Sequence, residues 1–236
     1  MYRGKRILSI IPARGGSKGL PRKNILPLLG KPLLVWTLEQ ALRSNYCDKV
    51  MVSTDDVEIA EVARKNGADV PFMRPKELAA DTTPMFKVVA HALSFYKSKG
   101  IFFDYVAILQ PTSPLRKADD IDNAIKMLID HEKEGDSLVS LGEAHKEHPS
   151  MVQKIVGGYV KPYEVQPKKV FRRQDLVRLF SPNGLIFISK TEKILKYETF
   201  YQRRAIPYHV ERWQNFEVDD LVDFICIEAI LKNKMS

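Results

Sequence analysis

Four cations and three glycines crowd one short stretch of this chain, Ala13-Arg14-Gly15-Gly16-Ser17-Lys18-Gly19-Leu20-Pro21-Arg22-Lys23-Asn24. Glycine lets the main chain turn tightly and approach a ligand with no Cβ in the way. Exposed backbone N–H groups beside fixed positive charge are what a polyphosphate requires. The spacing fits neither G-x-G-x-x-G nor G-x-x-x-x-G-K-[ST], so this is neither the dinucleotide fingerprint nor the Walker loop. Ahead of it runs Ile7-Leu8-Ser9-Ile10-Ile11, apolar, β-branched and of the length of a buried strand. The residues therefore describe a phosphate-binding loop at the carboxyl end of a first strand.

Carboxylates and short polar side chains that could complete such a site lie far along the chain. Phe216-Glu217-Val218-Asp219-Asp220 alternates, which puts Glu217 and Asp219 on one face of an extended segment. Opposite a cationic polyphosphate loop, that pair suits Mg²⁺, with Mn²⁺ as an alternative, because Mg²⁺ takes one or two carboxylates plus phosphate oxygens and water. Asp219-Asp220 also stand where an amphipathic helix reaching about Lys232 begins, and capping is the competing role. Gln110-Pro111-Thr112-Ser113-Pro114-Leu115-Arg116 follows an apolar run, Tyr105 to Leu109. Ligands of open α/β sheets bind beyond the carboxyl ends of strands, so Gln110, Thr112 and Ser113 are expected to face the same crevice. Short polar groups there suit the hydroxyls and amide of a sugar. Asp55-Asp56 ends another strand, from Lys49; metal binding is open to the pair, and capping of the next helix by Thr54 or Asp55 is the commoner use.

Helical spacing predicts helices from Pro32 to about Asn45, Val57 to Asn66, Met85 to Ser98 and Asp119 to Asp130. They alternate with strands at 7–11, 49–54, 105–109 and 136–141, and 68–75 reads as extended. Such alternation predicts a mostly parallel sheet covered on both faces. From about Glu143 to Arg178 the pattern changes to prolines, many lysines and a Gly157-Gly158 turn, which predicts short antiparallel strands. His145 and His148 lack the further ligands of a zinc site and read as loop residues, and His91 reads as a packed or solvent-facing helical residue, not a catalytic one.

The formal net charge is +8, with 44% hydrophobic and 28% charged residues. The basic residues are spread out, with no aromatic-interleaved stripe, which favours a polyanionic small substrate over nucleic acid. Cys47 and Cys226 have no partner spacing for a disulfide framework or metal. Neither a signal-type apolar region nor a run of about 18 apolar residues is present, so a cytoplasmic protein without membrane or nucleic-acid partners is expected.

The first loop, read as P-A-R-G-G-S-K-G-L-P-x-K-N, resembles the signature of the cytidylyltransferases that activate sialic acid and related nonulosonic acids as CMP-sugars. Lys18 and Lys23-Asn24 favour that branch over the KDO cytidylyltransferases, which are similar up to the serine and then carry Arg and Lys-Pro. The resemblance continues through Gln110 to Arg116, through Arg172-Arg173-Gln174-Asp175-Leu176 and through Asn183-Gly184, and so covers nearly the whole chain. It implies a Rossmann-like three-layer α/β nucleotidyltransferase fold with a mostly parallel central sheet and a small antiparallel dimerisation excursion. One cytidylyltransferase domain would span 1–236, with an inserted dimerisation and substrate-capping element at about 143–205 of a homodimer. CTP would lie on Ala13, Arg14, Gly15, Gly16, Ser17, Lys18, Lys23 and Asn24, with Arg74 reading the base and Arg14, Lys18 and Lys23 serving catalysis. The acidic sugar would meet Gln110, Thr112, Ser113, Phe200, Tyr201 and, of the two adjacent arginines, Arg173 through its carboxylate. Mg²⁺ would rest on Asp219 and Glu217, directly or through water. Two departures are visible: Phe187 replaces the usual tyrosine, and Glu217 replaces an aspartate. The resemblance leaves open another sugar nucleotidyltransferase, such as one for pseudaminic acid or KDO, and a non-catalytic nucleotide-binding protein.

Overall fold

The structure is a computed structural model and describes residues 1–145, 148–163 and 176–235. In chain order its strands and helices are β1 (Ile7–Pro12), β2 (Pro27–Leu28), β3 (Lys31–Pro32), α1 (Leu33–Arg43), β4 (Lys49–Ser53), α2 (Val57–Lys65), α3 (Met85–Ser98) and β5 (Tyr105–Ile108). There follow α4 (Asp120–Asp130), β6 (Ser137–Glu143), β7 (Gln153–Val156), β8 (Tyr159–Pro162), β9 (Phe180–Lys190), α5 (Thr191–Tyr197), β10 (Ala205–His209) and α6 (Leu221–Met235).

Six strands form the central sheet in the order β10-β6-β9-β5-β1-β4. All run parallel except β9, which lies antiparallel between β5 and β6. Among the described residues the connection from β6 to β9 holds the β7–β8 hairpin and no crossover helix of the kind that returns a parallel strand. Side chains of successive strand residues point to opposite faces, and β1 divides accordingly. Ile7 and Ile11 join a core with α1, α2 and α4 (Leu34, Leu38, Ile59, Ile125), whereas Leu8 and Ile10 join one with α3 and α5 (Val89, Leu93, Tyr96, Ile194). The result is the three-layer arrangement that the alternating pattern implied. A third cluster, Leu28, Leu33, Leu115, Val218, Phe224, Ile227 and Leu231, docks α6 beneath the glycine-rich loop.

Several local expectations are corrected. Helix α2 is capped by Asp56, whose carboxylate accepts from Ile59 N at 2.9 Å; Thr54 Oγ1 instead accepts from Asp56 N. The segment 68–75 pairs with the sheet at one bridge, Met51 to Asp69, and β6 runs on to Glu143. Glu217 and Asp219 do not belong to a strand. The Gly157-Gly158 turn is confirmed: both residues have positive φ, 61° and 83°, which closes the β7–β8 hairpin. That hairpin exposes Ile155, Tyr159 and Val160.

Asp136, at the start of β6, ties three segments together. It accepts from Arg204 Nε at 2.9 Å, Arg204 Nη2 at 2.8 Å and Lys190 Nζ at 3.0 Å. The Arg204 and Lys190 donors hold its carboxyl well below the usual carboxylate range. A depressed folded-state value contributes stability above the ordinary carboxylate range and loses it as pH falls towards that value. Asp136→Asn is thus expected to lower the urea midpoint near neutral pH, with the gap to wild type closing from about pH 5 downward. Parallel unfolding curves along a pH series check this; a gap independent of pH would refute it.

Candidate active site

Beyond the carboxyl ends of β1, β4 and β5 opens a cleft of about 430 Å³. Its lining includes Arg14, Ser17, Lys18, Lys23, Asn24, Arg74, Gln110, Thr112 and Asp219, all expected from the sequence, whereas Ser113, Phe200, Tyr201 and Glu217 do not line it. A larger cavity of about 800 Å³ lies at the opposite end of the sheet. Among its charged groups Lys5 pairs with Glu132 at 3.2 Å and Lys190 with Asp136, and none of the residues that the sequence analysis singled out as candidate site residues lines it.

The glycine-rich loop is held by its own polar groups. Ala13, fully buried, donates its N–H to Ser53 O at 2.9 Å and so acts as a fastening of the strand end. Gly15 N donates to Asp55 Oδ1 at 3.1 Å, and a Cβ on Gly15 would stand 2.7 Å from Asp56 Oδ2. Gly16 has open space where a Cβ would go, which leaves its backbone approachable. Asn24, almost wholly buried, donates Nδ2 to Arg14 O at 2.9 Å and pins one side of the loop to the other. Arg22 takes a left-handed conformation, φ 59°, and spends its guanidinium on Asp56 at 2.5 Å and on Glu58. It is a strap to α2.

The remaining three loop cations border the cleft. Arg14 and Lys18 converge on one carboxylate, Asp81, the latter at 2.5 Å. Lys23 Nζ donates to Val218 O at 2.7 Å and to Asp219 Oδ1 at 3.2 Å. Arg74 is buried and bonded to the end of β4, with Nε on Ser53 Oγ at 3.0 Å and a second donor on the Ser53 carbonyl. Burial pushes its pKa down to about 10, so it stays charged near neutral pH while bordering the cleft.

On the facing side, Gln110 N donates to Gly184 O at 3.1 Å, and Thr112 Oγ1 to Gln110 Oε1 at 3.3 Å. Ser113 is fully buried and donates to Glu217 Oε1 at 2.8 Å, the oxygen that also accepts from Gly184 N. Phe200 is a core residue, its ring 5.9 Å from Phe187, whereas Tyr201 is exposed and meets Phe187 edge-on at 6.2 Å. Arg173, with Arg172, lies outside the described residues.

Among the described residues no cluster of three His, Cys, Asp or Glu could hold a metal unaided. Asp219, with an 80% exposed side chain on the cleft, fits a Mg²⁺ that arrives on phosphate oxygens and needs one protein carboxylate. Two site residues, Asp81 and Met85, were not anticipated: the first closes the loop segment that begins at Arg74, where only the arginine was given a role, and the second reads as the start of an apolar helix face.

An open, mostly parallel sheet with a cationic glycine-rich loop over its carboxyl edge defines a nucleotide-binding α/β protein. The profile of the cytidylyltransferase family matches residues 8–233, and the chain belongs to that family. It is 35% identical over 230 residues to a CMP-N,N'-diacetyllegionaminic acid synthase of Legionella pneumophila, covering 96% of this chain and 97% of that one. It is 37% identical over 231 residues to an N-acylneuraminate cytidylyltransferase of Escherichia coli, covering 97% of this chain and spanning about half, 53%, of that protein. In fold it matches a CMP:2-keto-3-deoxy-manno-octonic acid synthetase complexed with CTP, with TM-score 0.70 at 18% identity, covering 97% and 99% of the two chains.

Gly19 gives the site a sharp steric test. A Cβ there would stand 2.4 Å from the backbone oxygen of Asp219. Gly19→Ala is expected to part the loop from Asp219 and weaken nucleoside triphosphate binding roughly tenfold or more, with the fold retained. Calorimetric titration beside circular dichroism checks it; unchanged affinity would show that this contact is dispensable.

Proposed function

We propose that this protein is a CMP-sugar synthetase that transfers CMP from CTP to the anomeric hydroxyl of a nonulosonic acid of the N-acetylneuraminic or legionaminic type. What carries the reading is that Arg14, Lys18, Lys23 and Arg74 border one cleft with Gln110 and Thr112, in a chain with a full-length relative of that activity. The anomeric hydroxyl gives up its proton to solvent as its oxygen forms a bond to the α-phosphorus, the bond from that phosphorus to the β-bridging oxygen breaks, and pyrophosphate leaves. Such a transfer asks mainly for positioning and neutralisation of charge. Arg14 and Lys18 take the terminal phosphates, Lys23 stands between the phosphates and Asp219, and Arg74 donates to the pyrimidine. Ser17 and the Gly15-Gly16 backbone supply neutral donors beside them. Mg²⁺, held by Asp219, would neutralise phosphate charge. Gln110 and Thr112 face the sugar, with Tyr201 on the same side, and the family resemblance offers Arg173 as the partner of the sugar carboxylate. The exposed Ile155, Tyr159 and Val160 of the β7–β8 hairpin suit a second copy of the chain, and the reading includes a homodimer working in the cytoplasm. No described helix is long and apolar enough to cross a membrane.

The deciding experiment is pyrophosphate release with CTP and Mg²⁺ over a panel of N-acetylneuraminic, legionaminic, pseudaminic and KDO acids. Release with a nonulosonic acid, and none with ATP, GTP or UTP, is expected. CTP binding without release for any acid would point to a non-catalytic nucleotide-binding protein. Lys23→Met is expected to lower kcat roughly 10²–10³-fold, the scale for losing one preorganised charged donor.

Asp81 gives a prediction of opposite sign. A triphosphate and this carboxylate compete for the same donors on Arg14 and Lys18. Asp81→Asn is expected to tighten CTP binding several-fold in calorimetry; weaker binding would place Asp81 among the groups that hold the nucleotide.

A further inference from the structure

Glu217 stands one residue removed from Val218 and two from Asp219, yet its surroundings differ from those of Asp219 in kind. Its Oε1 accepts two hydrogen bonds, from Ser113 Oγ at 2.8 Å and from Gly184 N. Ser113 is fully buried. A Cβ on Gly184 would stand 2.4 Å from Glu217 Oε1 and 2.7 Å from Gln110 Cδ, so the carboxylate, the Gly184 backbone and the Gln110 side chain pack against one another with no space between. Gln110 N, in turn, donates to Gly184 O. One carboxylate oxygen therefore fastens the segment after β5, the bend within β9 and the segment leading into α6. Oε1, already accepting two hydrogen bonds, has little lone-pair capacity left for a cation, and Glu217 does not line the cleft at all. Asp219, by contrast, turns its side chain into the cleft.

We infer that Glu217 is a positioning residue for the acceptor-sugar edge of the cleft, holding Ser113 and Gly184 so that Gln110 and Thr112 face the sugar, and is not a ligand of the metal. The inference rests on the CMP-sugar synthetase reading above. It also accounts for the glutamate at a place where an aspartate was expected. Glutamate carries one more methylene than aspartate, and here that reach ends on Ser113 and Gly184. Loss of the contact frees Gln110 to shift, which costs affinity for the acceptor and leaves the triphosphate side, built from Arg14, Lys18 and Lys23, unaffected.

The test uses Glu217→Asp, which keeps the charge and shortens the reach, and Glu217→Gln, which keeps the reach and removes the charge. Ser113→Ala, buried away from the cleft, serves as an independent third variant. For each, KM of the acid is measured beside Mn²⁺ affinity of the CTP complex, the latter by electron paramagnetic resonance without turnover. Glu217→Asp is expected to raise KM of the acid about 10- to 100-fold. Ser113→Ala should raise it in the same direction by less, and Glu217→Gln least of all. Mn²⁺ affinity should stay at the wild-type value in all three, and fall in Asp219→Asn. Weakening of Mn²⁺ by either Glu217 variant, to the extent seen in Asp219→Asn, would overturn the inference. So would an unchanged KM of the acid in Glu217→Asp. If the wild-type protein turns over no acid at all, it is the parent reading that fails, and the Mn²⁺ measurement still decides whether Glu217 is a ligand.

Discussion

A buried guanidinium holds the floor of this site together. Arg116 is 3% exposed and makes its hydrogen bonds to neutral acceptors: the Leu185 carbonyl at 2.8 and 2.6 Å, Thr37 Oγ1 at 3.0 Å, Gln40 Oε1 at 3.3 Å and the Gln110 carbonyl at 3.4 Å. Burial pushes its pKa down to about 10, against the field of nearby Asp120, so it remains a cation at neutral pH. Withdrawing such a charge from water is costly, and it is tolerable only because its planar fork is met by acceptors on several sides. Those acceptors belong to α1, to the segment after β5 and to β9. The arginine therefore fixes the separation of Gln110 from Gly184-Leu185, and the Gln110 edge of the cleft inherits that separation.

The two sides of the cleft are built on opposite principles. The Gln110 side is a network of hydrogen-bonded polar groups, with Glu217 and the buried Ser113 at its centre. The side formed by the glycine-rich loop is charge held near the surface. Four cations in one short loop would repel one another, and each has been given a carboxylate partner: Asp81 for Arg14 and Lys18, Asp56 and Glu58 for Arg22, Asp219 for Lys23. Three of the four still border the cleft, so the loop carries its charge in a fixed place before any phosphate meets it. Fixed donors of this kind need little reorganisation during reaction, which is where electrostatic catalysis draws its strength. Arg22 has the opposite task, since its partners at the start of α2 keep the loop from swinging away from the sheet.

What could be read in the sequence was what local order encodes. The glycine-rich loop, the alternation of strands and helices and the Gly157-Gly158 turn are set by neighbours within a few residues, and each stands where the pattern put it. The direction of β9 was not legible, because it depends on how an excursion returns to the sheet. The adjacent Asp55 and Asp56 show the limit at finer scale. Propensity offers either neighbour as a cap, and only the folded chain separates them: Asp56 caps α2, while Asp55 receives the N–H of Gly15, forty positions away. The alternation at Phe216 to Asp219 failed for a related reason. Without a partner strand to hold the segment extended, Glu217 and Asp219 follow their separate contacts, one to Ser113 and Gly184, the other towards Lys23. Arg116 and Asp81 carried no sequence signal for their roles, since every partner that defines them is distant along the chain.

The meeting of Gly19 with Asp219 ties the site to the fold as a whole. The carbonyl of Asp219 approaches Gly19 so closely that only the missing Cβ permits it, and Val218 O and Asp219 together receive Lys23 Nζ. Neither residue could reach the loop by local folding, because 200 positions of chain separate them. They are delivered by α6, whose Phe224, Ile227 and Leu231 pack on Leu28, Leu33 and Leu115. Leu28 and Leu33 flank the turn that follows the glycine-rich loop, and Leu115 precedes Arg116. The same apolar cluster thus seats the glycine-rich loop, the loop from Gln110 to Arg116 and the segment that carries Asp219. Closure of so long a loop is repaid only by contacts formed once the sheet has assembled, and the charged apparatus of the cleft comes into register only in the completed molecule.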